Sequence, residues 1–262
     1  MELPIFQIDA FTSRSFGGNP AAVVILEDSW LADDLLQAIA AENNLSETAF
    51  VLIASQPFPL RWFTPKIEVD LCGHATLASA HVLLRHYFPA QSQVKFVTRS
   101  GELTVARMGS QLSMDFPARP GKRVPVSGEI IAALGTEPTE AYYARDLLTI
   151  FSTETEVAAL KPNLELIAAL DAFAVIASAK GDEVDFVSRF FAPGAGIPED
   201  PVTGSAHCTL IPYWAGRLGK NVLVARQISE RGGELTCEKK GDRVLIAGHA
   251  VEYLGGKITV EL

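Results

Sequence analysis

Apolar residues fall along this chain in two rhythms. Phe6-Gln7-Ile8-Asp9-Ala10-Phe11 alternates apolar with polar or small residues, the period of a strand. Phe16-Gly17-Gly18-Asn19-Pro20 reads as a turn into a buried strand, Ala21 to Leu26. Leu35, Leu36, Ile39 and Ala40 follow the helical period and predict a helix over 33–42. Strands are expected from Glu47 to Ile53 and from Leu60 to Phe63, then an apolar helix over 75–88, then strands at 94–98, 102–107 and 111–116. Pro117-Ala118-Arg119-Pro120-Gly121 is the expected boundary between domains 1–118 and 119–262, with a C-terminal strand near 252–262 free to return to the first. Beyond it come a helix near 127–134, strands at 141–143 and 147–152, a helix at 163–170 and strands at 172–178 and 184–191. A second apolar helix starts at Ser205, and strands at 222–228, 234–239, 243–248 and 257–261 close the chain. Strands in series with one central apolar helix per half argue for an α+β fold rather than a doubly wound parallel sheet.

The halves resemble each other. Arg61-Trp62-Phe63-Thr64-Pro65, an acidic stretch and Gly73-His74-Ala75-Thr76 open the first apolar helix. Arg189-Phe190-Phe191-Ala192-Pro193, an acidic stretch and Gly204-Ser205-Ala206-His207 open the second, displaced by close to half of the 262-residue chain. A period this long points to two similar domains, not to a solenoid of short repeats. Two matched domains make a cleft, and both glycine-led helix starts are expected to face it, where a small anionic substrate binds.

Composition narrows the field. Hydrophobic content of 48% with 20% charged residues describes a globular chain. A formal net charge of −9 without a Lys/Arg cluster argues against nucleic acid as a partner. No apolar run is long enough for a bilayer, and Met1-Glu2-Leu3-Pro4 does not read as a signal peptide. The three cysteines, Cys72, Cys208 and Cys237, lack CxxC spacing and favour a reducing cytoplasm.

Three places can carry chemistry. At Asp70-Leu71-Cys72-Gly73-His74, a helix start offers free N–H groups and a positive dipole end to a carboxylate, and an imidazole stands at its mouth. A glycine turn and a capping histidine fit the same residues. At Glu199-Asp200-Pro201-Val202-Thr203-Gly204-Ser205, a second helix start lies beside Asp200, which is held extended by Pro201. Turn and cap roles fit Asp200 and Thr203 equally when that copy is taken alone. Glu47 enters the apolar strand Thr48-Ala49-Phe50-Val51; desolvation there would raise its pKa and suit it to acid–base work. A strand-edge glutamate in water satisfies the local sequence too. His81 and His86 show no zinc spacing, and the chain has no HExxH, GxGxxG or Walker loop, so neither metal nor cofactor is expected.

Taken together the motifs resemble the PhzF family of phenazine biosynthesis-like proteins. They are Ile8-Asp9-Ala10-Phe11 with Gly18-Asn19-Pro20-Ala21, Asn44-Leu45-Ser46-Glu47-Thr48-Ala49-Phe50, the Arg61 segment, Cys72-Gly73-His74-Ala75-Thr76, and Phe191 through Ala206. The resemblance implies a diaminopimelate epimerase-like fold: two domains, each a curved sheet around a central helix, with the active site in the inter-domain cleft. It implies no metal and no organic cofactor, and a homodimer. In the family's founding enzyme a glutamate matching Glu47 moves a proton between two carbons of a dihydro-hydroxyanthranilate, helped by residues matching His74 and Asp200. Gly73, Gly204 and Ser205 would hold the substrate carboxylate.

The chain is thus expected to be a cofactor-independent isomerase of a small carboxylic acid. A two-thiol epimerase is disfavoured, because Thr203-Gly204-Ser205 offers no partner for Cys72, which then reads as a small packed residue. A binding or protein-interaction protein on the same fold is the other reading, since fold does not fix function.

Overall fold

The computed structural model describes residues 1–261. The chain divides into two compact units: Met1–Asp115 together with the chain from Ala247 onward, and Phe116–Ile246.

The first unit is built on β1 (Glu2–Ala10), β2 (Asn19–Leu26), α1 (Asp33–Asn43), β3 (Glu47–Leu52), β4 (Phe58–Phe63), the short β5 (Glu68–Val69), α2 (Gly73–Val82), β6 (Gln93–Thr98), β7 (Gly101–Met108) and β8 (Gln111–Pro117). β1 and β2 pair antiparallel, β2 and β3 parallel, β3 and β4 antiparallel, β4 and β6 parallel, and β6 and β7 antiparallel. Parallel pairs need crossover segments, and α1 and α2 supply the two that this order requires.

β2 and β3 are buried on both faces, as helix-covered parallel strands must be. Ala22, Val24 and Leu26 pack with Leu36, Ile39 and Ala40 of α1. The alternate residues Ala21, Val23 and Ile25 are equally buried and point to the opposite face, where α2 lies against β1, β2 and β3. All of α2 except Gly73 and His81 is buried, which is why its sequence is apolar around the whole circumference.

The second unit runs β9 (Lys122–Val124), α3 (Gly128–Leu134), β10 (Glu140–Tyr143), β11 (Leu147–Ile150), α4 (Glu154–Ala159), α5 (Leu164–Ala169), β12 (Val175–Lys180), β13 (Phe186–Phe191), α6 (Gly204–Leu218), β14 (Val222–Gln227), β15 (Gly233–Lys240) and β16 (Arg243–Gly248). Its ladder repeats the first: β10 and β11 antiparallel, β11 and β12 parallel, β12 and β13 antiparallel, β13 and β14 parallel, β14 and β15 antiparallel. The architecture is α+β, with a mixed sheet and a buried central helix in each unit.

The last strand, β17 (Ala250–Thr259), belongs to the first unit. It pairs antiparallel with β1 from Glu2↔Thr259 to Ala10↔Ala250, with one irregularity at Gln7/Ile8. The sequence pattern places strands at 257–261 and, as a returning C-terminal strand, near 252–262; β17 starts at Ala250 and runs through Gly255-Gly256 along β1.

The turn between β1 and β2 has a strict requirement. Gly18 has φ +62°, and a Cβ built on it would stand 2.1 Å from the Ala10 carbonyl oxygen. Both the backbone conformation and the space exclude a side chain. Gly18→Ala is expected to cost at least about 3 kcal/mol, read as a lowered urea midpoint. A midpoint within error of the parent would show that the turn reshapes freely.

Candidate active site

Glu47 is the first residue of β3 and pairs with Ala21 of β2. It is 8% exposed, so the strand-edge position in water is not the one it occupies. Cys72 is the N-cap of α2, and His74 is the second residue of that helix. These two are 6% and 5% exposed.

A strand end and a helix start thus bring three side chains together. His74 Nε2 lies 3.1 Å from Glu47 Oε2, and Cys72 Sγ lies 3.5 Å from His74 Nδ1. Although His74 is close, Glu47 Oε2 is buried and receives no aligned hydrogen bond. The buried carboxylate thus faces the imidazole at ion-pair distance and is the basic group of the set. One carboxylate oxygen, Cys72 Sγ and an imidazole nitrogen all lie within 4.8 Å of one another, the one group among the described residues with the make-up of a metal site.

The electrostatics of the trio follow from burial and close contact. Burial pushes the Cys72 thiol up to about 11, and the Glu47 carboxylate adds to the rise. Cys72 is therefore a neutral thiol at pH 7. Burial opposes charge on His74, while the adjoining Glu47 carboxylate favours it and raises the imidazole. With Cys72 protonated, Glu47 is the partner that sustains an imidazolium there.

The second set gathers in the second unit. Asp200 and Thr203 are each 7% exposed, and the Thr203 hydroxyl donates to Asp200 Oδ2. Gln227, fully buried on β14, fixes this loop from beneath. Its Oε1 accepts from the Thr203 backbone N–H at 2.8 Å, and its Nε2 donates to the Asp200 carbonyl at 2.7 Å. Thr203 is the N-cap of α6, as Cys72 is of α2, and Gly204 and Ser205 follow it. Neither N-cap side chain bonds its helix, whereas Ser127, Thr153 and Asn163 do cap α3, α4 and α5. The leading N–H groups of α2 and α6 are therefore left to other acceptors. Ser205 Oγ also accepts from Arg145 at 3.2 Å, and Arg145 is held bidentate by buried Asp146.

The approach to each helix start is clamped in the same way. Arg61 grips Glu68 through Nε and Nη2 at 2.7 and 2.8 Å and lies over the Phe63 ring at 5.1 Å. Arg189 grips Glu199 through the same nitrogens at 2.7 and 2.8 Å and lies over Phe191 at 4.9 Å.

Sequence patterns do not reveal two close neighbours of these residues. Cys72 is packed, as expected, but also completes the Glu47–His74 group. His207 lies wholly inside the fold; its Nδ1–H donates to the Thr203 carbonyl at 2.8 Å, and its Nε2 has no partner. The signal available for it is its place one turn after the N-cap, where a side chain reaches back to the Thr203 carbonyl.

Burial pushes His207 down to about 4. A histidine kept neutral in the fold but free to charge when unfolded makes stability fall as the pH drops from about 6.5 to about 4, by about 3 kcal/mol at most. His81, lowered to about 4 chiefly by burial, acts in the same direction, while His74 acts in the opposite one. The informative measurement is therefore a difference. Urea unfolding at pH 7 and pH 4.5 should show a smaller acid loss in His207→Asn than in the parent. Parallel profiles would remove His207 as the group responsible.

Comparison with known proteins agrees with this architecture. The profile of the family described as phenazine biosynthesis-like protein (PhzC-PhzF) matches residues 8–256. An uncharacterized isomerase of Pseudomonas aeruginosa is 52% identical over 259 residues, covering 98% of this chain and 99% of that protein. The crystal structure of a PhzF family protein from Enterococcus faecalis superposes with a TM-score of 0.97 at 48% identity, covering 99% of this chain and 100% of the other. A hydroxyproline epimerase from Agrobacterium vitis shares the fold at a TM-score of 0.61 and 9% identity, over 98% of this chain and 92% of that one. Among the described residues no helix is long and apolar enough to cross a membrane. The repeated ladder, the paired helix starts and a match over nearly the whole length agree: this chain belongs to the phenazine biosynthesis-like PhzC-PhzF family.

Proposed function

We propose that this protein is a cofactor-independent isomerase that moves a proton between two carbons of a small carboxylic acid, with Glu47 as the base and then the acid. The observation that carries the proposal is the buried Glu47 carboxylate, with Oε2 3.1 Å from His74 Nε2. In the first step the Glu47 carboxylate takes an acidic C–H proton, and the electron pair delocalises toward the substrate carboxylate. N–H groups at the starts of α2 and α6, around Gly73, Gly204 and Ser205, stabilise the developing charge. In the second step the protonated Glu47 returns the same proton to another carbon. His74, as imidazolium, orients the carboxylate and the substrate, and Asp200 assists with its Thr203 partner. Isomerase-named relatives at 52% and 50% identity support the reaction class.

Two further facts favour a carboxylate over a pair of thiols. Cys72 is a thiol at neutral pH, and the matching N-cap is Thr203, whose hydroxyl is far less acidic. A homodimer and a cytoplasmic setting belong to the same proposal. The latter accords with three free, buried cysteines.

The test is solvent deuterium incorporation followed by NMR over a panel of small cyclic, amino and hydroxy acids, including dihydro-hydroxyanthranilate. Exchange that depends on Glu47 supports proton transfer. A ligand that binds tightly but never exchanges would replace the proposal with a binding protein on the same fold.

A further inference from the structure

We infer that Arg145 is a positioning residue that makes the start of α6 select a carboxylate over a neutral group of the same shape, acting through the Ser205 hydroxyl. The inference rests on the reading that this helix start holds the acid group of the substrate, and it adds to that reading a residue and a charge preference.

Local geometry carries the first part of the argument. Arg145 Nη2 donates to Ser205 Oγ at 3.2 Å. An oxygen that accepts from a cation turns its own proton elsewhere, and no acceptor among the described residues takes the Ser205 O–H. The hydroxyl is thus a donor held in a fixed direction and polarised by the guanidinium behind it. It is the second residue of a 15-residue helix whose N-cap side chain makes no capping bond. One aimed O–H beside free leading N–H groups is a donor set for an oxyanion.

Arg145 itself has little freedom. Asp146, 1% exposed, accepts from its Nε and Nη2 at 2.9 Å each, and its guanidinium carbon lies over the Phe173 ring at 4.5 Å. The two hydrogens of Nη2 serve one acceptor each, Asp146 Oδ2 and Ser205 Oγ. Sequence spacing hides the contact, because Arg145 and Ser205 are 60 positions apart.

Charge carries the second part. Asp146 balances Arg145, but Arg119 has a buried Nη1 without an acceptor. Burial pushes the Cys208 thiol up to about 11; against it Arg119 and Arg145 favour the thiolate, and Asp146 opposes it. Two cations and one anion therefore surround a residue three positions after Ser205, on the same side of α6. The excess positive charge favours an anion there over a neutral amide.

The experiment is a binding titration of the full-length isotope-labelled protein at pH 7, read by NMR at the Gly204 and Ser205 amides. Two acid–amide pairs are the probes: acetate against acetamide, and benzoate against benzamide. No turnover is involved, so failure of the deuterium-exchange test leaves this result standing, and the reverse holds. Each acid should shift both amides saturably and bind at least about tenfold more tightly than its amide, the size of one charge-assisted hydrogen bond. Arg145→Gln is made together with Asp146→Asn, so that no buried carboxylate is left unpaired. This pair should cut the preference for the acid to within about twofold and leave amide affinity unchanged, whereas a merely structural defect lowers both alike. Ser205→Ala should do the same, and adding it to the pair should change the preference by less than about twofold, since both act through one hydroxyl. Denaturant midpoints check each fold. Should the pair not fold, Arg145→Lys decides: an ammonium cannot grip Asp146 with two prongs and also reach Ser205, so the preference should fall severalfold. Acids that leave both amide signals unmoved overturn the inference. So do variants that keep the preference of the parent, or effects of the pair and of Ser205→Ala that simply add.

Discussion

Glu47→Gln is expected to lower solvent deuterium exchange into a bound substrate by about 10²–10⁴-fold, the range associated with removal of one positioned acid–base group. The substitution preserves size and removes only the basic oxygen and its charge. Stability should move much less than rate, because an amide at this buried position still offers an acceptor to His74. Binding of the substrate carboxylate should persist, since that role is assigned to the helix starts rather than to Glu47. Glu47→Asp is the informative companion. It keeps the charge but withdraws the oxygen by one methylene, and it should recover binding and only part of the rate. The variant also removes the partner that sustains charge on His74, so the imidazole should titrate at lower pH in Glu47→Gln, an effect visible in the ring signals by NMR. Full exchange by Glu47→Gln on a genuine substrate would end the assignment.

The second large effect falls on Arg189. Arg189→Ala is expected to destabilise the protein by about 3–5 kcal/mol, because it leaves the Glu199 carboxylate unpaired in a partly buried place. It also deletes the donors that reach the Leu160 and Val157 carbonyls at 2.8 and 3.2 Å, which tie the end of α4 to β13. Arg189→Lys should restore only part of the loss, since an ammonium cannot reproduce a two-pronged grip or lie flat over Phe191. Glu199 precedes Asp200 directly, so the variant should also reduce exchange in whatever fraction remains folded. Denaturant midpoints for the three proteins check the stability claim. A change below about 0.5 kcal/mol, the size of an ordinary surface substitution, would show the clamp to be ornamental. Arg61→Ala offers the parallel experiment in the first unit.

The two clamps show how far sequence reaches. Arg61 and Arg189, each two positions before a phenylalanine and respectively seven and ten before an acidic partner, are visible as a repeated motif, and the duplicated ladder follows that repeat. The apolar strands β2, β3, β12 and β13 and the starts of α2 and α6 were legible for a local reason: hydrophobic period and glycine position are written in consecutive residues. Features set by distant partners were not. β17 begins at Ala250, beside β1, a little before the sequence pattern starts it. The apolar stretch 75–88 reads as one helix, but α2 ends at Val82 and gives way to a wider π-turn over Leu83–Tyr87, and no propensity scale separates the two. α4 has a full capping box at Thr153 and Glu156, yet so short a helix carries too few apolar positions to show a period. In the candidate site, Glu47, His74 and Asp200 were singled out by residue type and setting. The closeness of Cys72 to both members of the first pair, and Gln227 reaching from β14 to hold the Asp200 loop, are products of folding alone.

The pairing of β1 with β17 also dictates an order of events on the ribosome. The second unit is one continuous stretch, Phe116–Ile246, and it can form as soon as that stretch has emerged. The first unit is translated earlier but lacks its closing strand until Ala250–Thr259 has emerged, so β1 must wait with an unpaired edge while the later unit matures. Long-range pairing of this kind slows folding and exposes strand edges. The nascent chain is therefore most open to chaperones, and to mispairing with its neighbours, along Glu2–Ala10 during the whole translation of the second unit.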